Sequence, residues 1–581
     1  MSTKAIISEA VSEKKPAIIL LALIILLGTA FKIAMAFILQ TIIDRVLPID
    51  PALNPPLGMW VGAFVLAMVF AIGMDFLGSF QAIKIGTFVT ESLGKAVFSH
   101  ALRAEYQQVS ELNPHDLAIS TTKDCQVIGN EFIGKNWVQF WKQIIVILAL
   151  FSTMMAIMPL WGLLVFIVLP LFYMSMFSLK KFIMKVDQDT VEKIQILQQN
   201  NHHCFKMIKG IKLKNGIVPM EEQFGKELDR LLKKHRFLEL LKRLYDSQLS
   251  DLFVGSLIAI ILGIGGYLTI QGDMEATVGK LMAFVIMIPF VYHAFKTLMN
   301  TSISFKMIEK ERQALDLILT LRSEMKSEPI TQIEEVLSLK FQSVSYDGEG
   351  KDQSLNRVSF EIKRGEKLGI LSYEAESRQI IFELLTKLIR PKNGVIAINN
   401  CDINKMNTQY LRELVTSVSS EQYVNEDSIA NNITFPLPFD EYKYNDALNR
   451  TGLKEIIAGL ELKDQSIVNE AAAFSKAFIQ RLQLANAFYK DSKIFVLKNA
   501  TTYLDVRSEE AIMKEVNKLK NKMVIIMSDK VYNVLGCDKI LILMGGQVVE
   551  YGKLPELLQN KDSEFNKMIK KVKTTKTIRA S

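Results

Sequence analysis

Ser372-Tyr-Glu-Ala-Glu-Ser-Arg-Gln379 lies between a run that reads as a buried strand (Gly365–Leu371) and one that reads as a helix (Ile380–Leu385). Strand, loop, helix is the setting in which backbone N–H groups cradle a phosphate. A second group of candidates stands in apolar surroundings: Lys32, Asp75, Lys142 and His293. A third, His202-His203-Cys204, reads either as metal ligands or, by default, as a solvated helix face. The four cysteines, Cys125, Cys204, Cys401 and Cys537, lie far apart with no C-x-x-C pair. Neither a disulfide framework nor a zinc site is expected from them.

These residues need elements to hold them, and the elements divide near residue 300. Of the 581 residues 49% are hydrophobic, with Phe (33) and Met (25) plentiful, and the long apolar runs fall in the first half. A helix needs about 20 apolar residues to cross a bilayer core. Six segments qualify: 16–47, 58–83, 131–158, 161–180, 247–271 and 276–300. The first is too long for a signal peptide and lacks a cleavage site, so it is expected to remain as an anchor. Turn-rich Pro48–Pro56, a tight hairpin at Met158-Pro-Leu-Trp161 and Gly272–Glu275 separate successive spans and carry no Lys or Arg. The other connections carry Lys84, Lys95 and Arg103, then Lys180, Lys181, Lys185, Lys206, Lys209, Lys212 and Lys214. The positive-inside rule therefore puts both termini in the cytosol. It also accounts for the net charge of +8 without nucleic acid, for which no motif is present.

Counted inward from the outer helix ends at 1.5 Å per residue, Lys32, Asp75, Lys142 and His293 all fall at about 22–26 Å. That is one layer near the inner edge of a ~30 Å core. Two readings stay open: a polar ring in a translocation cavity, or inter-helix pairing and snorkelling.

The inner connections run to about 47 and about 66 residues and look helical. Stalks of that length resemble those of ABC exporters, whose inner stalks end in short coupling helices. Glu105–Asp116 and Lys206–Gly216 stand where the two would be, and Ile42-Ile-Asp-Arg-Val-Leu-Pro48 resembles the first-helix exit of peptide-secreting members. The resemblance is strongest over 336–560. Pro391–Ile398, Asp402-Ile403, Leu411-Arg412, Gln480–Ala487, Ile494–Leu497, Ala500–Asp505 and Val548–Lys553 follow one another in the order of that family's nucleotide-binding domain.

Against the family pattern, the residues that do chemistry are mostly replaced. Where the phosphate loop reads G-x-x-x-x-G-K-S/T, this chain has Ser372 and Ser377 for the glycines, Arg378 for lysine and Gln379 for the Mg²⁺-binding hydroxyl. Glu374 and Glu376 put carboxylates into a loop that should receive phosphate. Without the glycines the backbone cannot easily take the φ > 0 turns that aim N–H groups at an anion. The strand Ile494–Leu497 is followed by Lys498 and Asn499 where the family has Asp and Glu for the metal and the attacking water. Ser420 stands for the glutamine after the preceding strand, and Asp529 for the switch histidine. The signature L-S-G-G-Q reads Phe474-Ser475-Lys476-Ala477-Phe478. Tyr346 is the candidate for stacking on adenine.

The expected architecture is an α-helical transmembrane domain over 1–300, six helices with long cytosolic extensions, followed by an α/β P-loop-type ABC nucleotide-binding domain. A linker over 301–335, a degenerate nucleotide-binding domain over 336–570 and a basic tail over 571–581 complete it. The resemblance implies a half-size exporter subunit in the cell membrane, in contact with lipid and unable to hydrolyse ATP by itself. It further implies a dimer, with an ATP-competent half-transporter as natural partner and ATP and Mg²⁺ held only at a site shared with that chain. The alternatives are a non-transporting scaffold or regulator, and an autonomous ATP-driven exporter of peptide, lipid or drug.

Overall fold

The computed structural model describes residues 2–46, 57–271, 277–324, 333–348, 354–421, 423–468 and 474–570. The expected turn at 48–56, the separator at 272–275 and the tail at 571–581 lie outside them, as does part of the linker. The chain forms two compact units: Met1–His100 with Asn113–Thr320, and Ala101–Leu112 with Leu321–Ser581.

In the first unit, six helices among the described residues are long and apolar enough to cross a membrane: Lys15–Val46, Leu57–Arg103, Pro114–Ile157, Pro159–Lys206, Leu249–Ile270 and Val278–Thr301. The second and fourth run well past their apolar parts, as the stalk reading expects. The third and fourth are separated by Met158 alone, so the hairpin is tighter than the sequence suggested. Pro159 opens the fourth helix, where its missing N–H costs nothing. Leu150, Leu169, Ile261, Phe284 and Ile288 centre the core of this unit. The third span carries an eleven-residue π-helical stretch, Val127–Trp137. Its Gly129 meets the second span so closely that a Cβ would lie 2.1 Å from Thr90 Oγ1. Asp44, at the end of the first span, accepts from the Thr277 hydroxyl (2.6 Å) and the Gly279 N–H (2.8 Å) at the start of the sixth. The N-terminal helix Thr3–Glu13 is anchored by two hydrogen bonds from Thr3 to Asp316.

Among the described residues the second unit has twelve strands: β1 (Ser338–Asp347), β2 (Ser354–Lys363), β3 (Lys367–Leu371), β4 (Asn393–Ile398), β5 (Cys401–Asp402), β6 (Val415–Ser419), β7 (Asp427–Ser428), β8 (Ile467–Val468), β9 (Ile494–Lys498), β10 (Met523–Ser528), β11 (Lys539–Met544) and β12 (Gln547–Lys553). An antiparallel sheet runs β2-β1-β4-β5, and a six-stranded sheet runs β12-β11-β3-β10-β9-β6. Within the latter β11, β3, β10, β9 and β6 are parallel. Strands β9 and β10 are buried throughout, as the interior of a sheet covered on both faces requires. The segment Ala101–Leu112 joins this unit through backbone pairing. Glu105 N–H donates to Arg322 O and Glu324 N–H to Arg103 O, both at 2.7 Å.

Candidate functional site

Parallel strands present their carboxyl ends at one edge, where an open α/β sheet binds ligands. Here that edge gathers Ser372 after β3, Ser420 after β6, Lys498 and Asn499 at the end of β9, and Asp529 after β10. A cleft of about 440 Å³ opens there, lined by Tyr346, Glu376, Arg378, Gln379, Glu383, Ser420, Glu421, Lys498 and Asn499 among others. Ser372 and Ser377 are buried in the loop. Asp529 is exposed outside the lining but acts on Arg378 through its charge.

The loop before the helix Ala375–Leu385 is held by its own side chains. Glu374 accepts from the Ser377 hydroxyl (2.9 Å) and from the N–H groups of Gly545 (2.7 Å) and Gly546 (3.3 Å). Those glycines form the two-residue turn between β11 and β12, both at positive φ (56° and 69°). Burial alone would raise the Glu374 carboxyl; these donors outweigh it and leave it lowered. The Arg378 guanidinium turns back and donates to Ser372 O, the loop's own carbonyl. Burial pulls it below its ordinary range, with Asp529 and Glu376 opposing.

Across the cleft the Lys498 ammonium, 8% exposed, donates to Gln379 Oε1 and lies 3.6 Å from Glu421. It sits 5.0 Å from the centre of the Phe382 ring. Burial lowers its pKa, and Glu421 only partly compensates. Gln379 passes its own N–H to Glu383 at 2.6 Å. Glu383 and Glu421 were not singled out from the sequence. The signals were there: Glu421 follows Ser420 directly, and Glu383 is one helical turn beyond Gln379.

Phe474, Ser475, Lys476, Ala477 and Phe478 lie apart from this cleft. Ser475 caps the helix Lys476–Lys490 by accepting from Phe478 N–H at 3.1 Å. Phe474 stacks on Phe478 with ring centres 4.6 Å apart, and Lys476 lies 5.1 Å over the Tyr503 ring.

In the membrane spans, three of the four polar residues meet. Lys32 Nζ is 2.7 Å and Lys142 Nζ 2.8 Å from the two carboxylate oxygens of Asp75. His293 instead shares a 3.2 Å hydrogen bond with Thr297 on its own helix. His203 and Cys204 end the 48-residue helix Pro159–Lys206, and no metal-binding cluster of His, Cys, Asp or Glu occurs among the described residues.

The family described as "ABC transporter transmembrane region" matches residues 18–295, and the family described as "ABC transporter" matches 355–502. The chain belongs to the ABC transporter family. It has the half-size exporter layout, one helical membrane region followed by one α/β ABC domain, and is a multi-pass membrane protein. It is 22% identical over 538 residues to a proposed export ATP-binding/permease protein of Rickettsia bellii, covering 90% of this chain and 89% of that one. To the leukotoxin translocation ATP-binding protein LktB of Mannheimia haemolytica it is 26% identical over 324 residues, 54% of this chain and 44% of LktB. The fold matches that of a bacterial Atm1-family ABC exporter with ATP bound, at a TM-score of 0.80 and 18% identity, over 96% of this chain and 99% of that structure.

ABC domains as a class hold a nucleotide with Mg²⁺, and the residues at this cleft do not fit that pair. A protein ammonium, Lys498, is bonded to Gln379 where the metal's ligands would stand. Three carboxylates, Glu376, Glu383 and Glu421, outnumber the two cations Arg378 and Lys498 around the cleft.

Proposed function

We propose that this ABC exporter half has lost ATP hydrolysis in its own nucleotide-binding domain and works in a dimer with an ATP-competent half-transporter. The observation that carries the reading is the Lys498–Gln379 bond: a buried cation at one of the two positions that hold metal in the family pattern is bonded to the other. Phosphoryl transfer is catalysed by positioning and by neutralising developing charge. Arg378 is tied to a loop carbonyl, and the balance of charge lining the cleft is negative. Both oppose phosphate. The core is nonetheless intact, with β3, β9 and β10 buried. That supports a mechanical role on the cytosolic side, gripping a partner's coupling helices rather than turning over nucleotide. Six long apolar helices support contact with membrane lipid.

Two measurements test this. The chain alone in nanodiscs is expected to show no Mg²⁺-dependent ATPase above an empty-disc blank. Purified from native membranes, it is expected to bring along a second half-transporter with an intact phosphate loop. Turnover that disappears with Arg378→Ala, or native membranes that yield only copies of this chain, overturns the reading.

A further inference from the structure

Each lysine ammonium has three N–H donors. In the Lys32–Asp75–Lys142 group one donor of each goes to Asp75, and among the described residues neither ammonium has another hydrogen-bond acceptor. Four donors and one net positive charge are thus left over inside the membrane spans. The lysine side chains are 13% and 16% exposed, and the carboxylate between them is 39% exposed. Phe290 lies beneath Lys32, its ring centre 5.9 Å from the ammonium. A cation at this depth calls for an anion or a route to water. Asp75 supplies only half of what two lysines need.

We propose that Lys32 and Lys142 bind the oxyanion of an amphiphile, a phosphate or carboxylate, beside Asp75 at the edge of the hydrocarbon core. The depth suits this ligand. At about 22–26 Å from one set of helix ends, the pair lies where the acyl chains of a ~30 Å core give way to headgroups. An anionic headgroup reaches both ammonium groups with its tails still among the exposed apolar side chains beside Asp75, Ile72, Phe76 and Phe80. Asp75 spaces the two lysines and keeps one of their charges neutralised while no ligand is bound. This site stands apart from the nucleotide reading, since it is examined with no nucleotide present. Discovery of ATPase activity would leave it standing.

The test uses the full chain in phosphatidylcholine nanodiscs with traces of spin-labelled phosphatidic acid or spin-labelled phosphatidylcholine. The fraction of immobilised label is read by electron paramagnetic resonance. The anionic label is expected to associate several-fold more strongly than the zwitterionic one. Lys142→Gln and Lys32→Gln, read independently so that one misfolded variant is not decisive, are each expected to remove most of that preference. Asp75→Asn, which leaves both charges, is expected to keep or raise it. Inorganic phosphate separates the sources: displacement of the label marks a site open to soluble anions, and its failure marks a lipid headgroup site, both within the proposal. No preference for the anionic label overturns it. So does equal loss in the Lys142→Gln and Asp75→Asn variants, or loss to sodium chloride at matched ionic strength.

Discussion

Glu374 and Lys498 show how single side chains hold the cleft in its present form. Glu374 ties the loop after β3 to the turn between β11 and β12 through two backbone N–H groups. Hydrogen bonds to a charged group contribute about 1.5–3 kcal/mol each, less at a partly exposed site. Glu374→Ala is therefore expected to lower the stability of the second unit by about 1–3 kcal/mol, seen as an earlier thermal transition. Glu374→Gln, which keeps one acceptor, should lose less. Lys498 acts in the opposite sense. Burial depresses its folded-state pKa below the unfolded value near 10.4, so the unfolded chain binds the proton more tightly. Stability then rises with pH through the interval between the two values. Lys498→Met, which has no proton to lose, is expected to compare best with the parent at neutral pH, with that advantage shrinking toward pH 10. Denaturant midpoints at several pH values check this; an advantage that widens with pH contradicts it.

Among the elements, the cap at the start of the sixth span makes the sharpest prediction. Asp44 satisfies an orphan N–H of that helix and the hydroxyl of its capping Thr277. Gly279 leaves no room for anything more, because a Cβ would lie 2.5 Å from the Asp44 side chain. Asp44→Ala should cost about 1–2 kcal/mol, the usual range for a lost cap. Gly279→Ala should be destabilising beside Asp44 and nearly neutral in Asp44→Ala, a coupling that a double-mutant cycle in detergent melts reads directly. The six spans could be read in the sequence because each is a long apolar run with no competing interpretation. The cleft positions could be read because each follows a buried strand. The π-helical stretch Val127–Trp137, the glycine contact at Gly129 and the turn of Glu374 toward Gly545 could not. Each depends on a partner distant in the chain, and nothing local in composition signals it. The charge layer was half legible: helix rise placed four groups at one depth, but only facing directions could show that three of them meet and His293 does not.

At the scale of the whole chain, the second compact unit takes in Ala101–Leu112 together with Leu321–Ser581, where the sequence reading puts the α/β domain over 336–570. Arg103 and Glu105 pair by backbone with Arg322 and Glu324, and the Glu105 carboxylate reaches Arg390 at 3.2 Å. A fragment covering 321–581 is expected to be less stable than the same fragment with residues 101–112 supplied as a linked peptide, with the difference removed by Arg390→Ala together with Glu324→Pro, which takes away the N–H donated to Arg103 O. Equal melting temperatures for the two would show that segment to be dispensable. The arrangement also sets a clock. Residues 101–112 leave the ribosome roughly 200 residues ahead of their backbone partners, a delay of roughly 10–40 s at common synthesis rates. During that wait the neighbouring spans must be inserted while Ala101–Leu112 stays unpaired. Completion of the second unit thereby waits on synthesis of the intervening membrane spans.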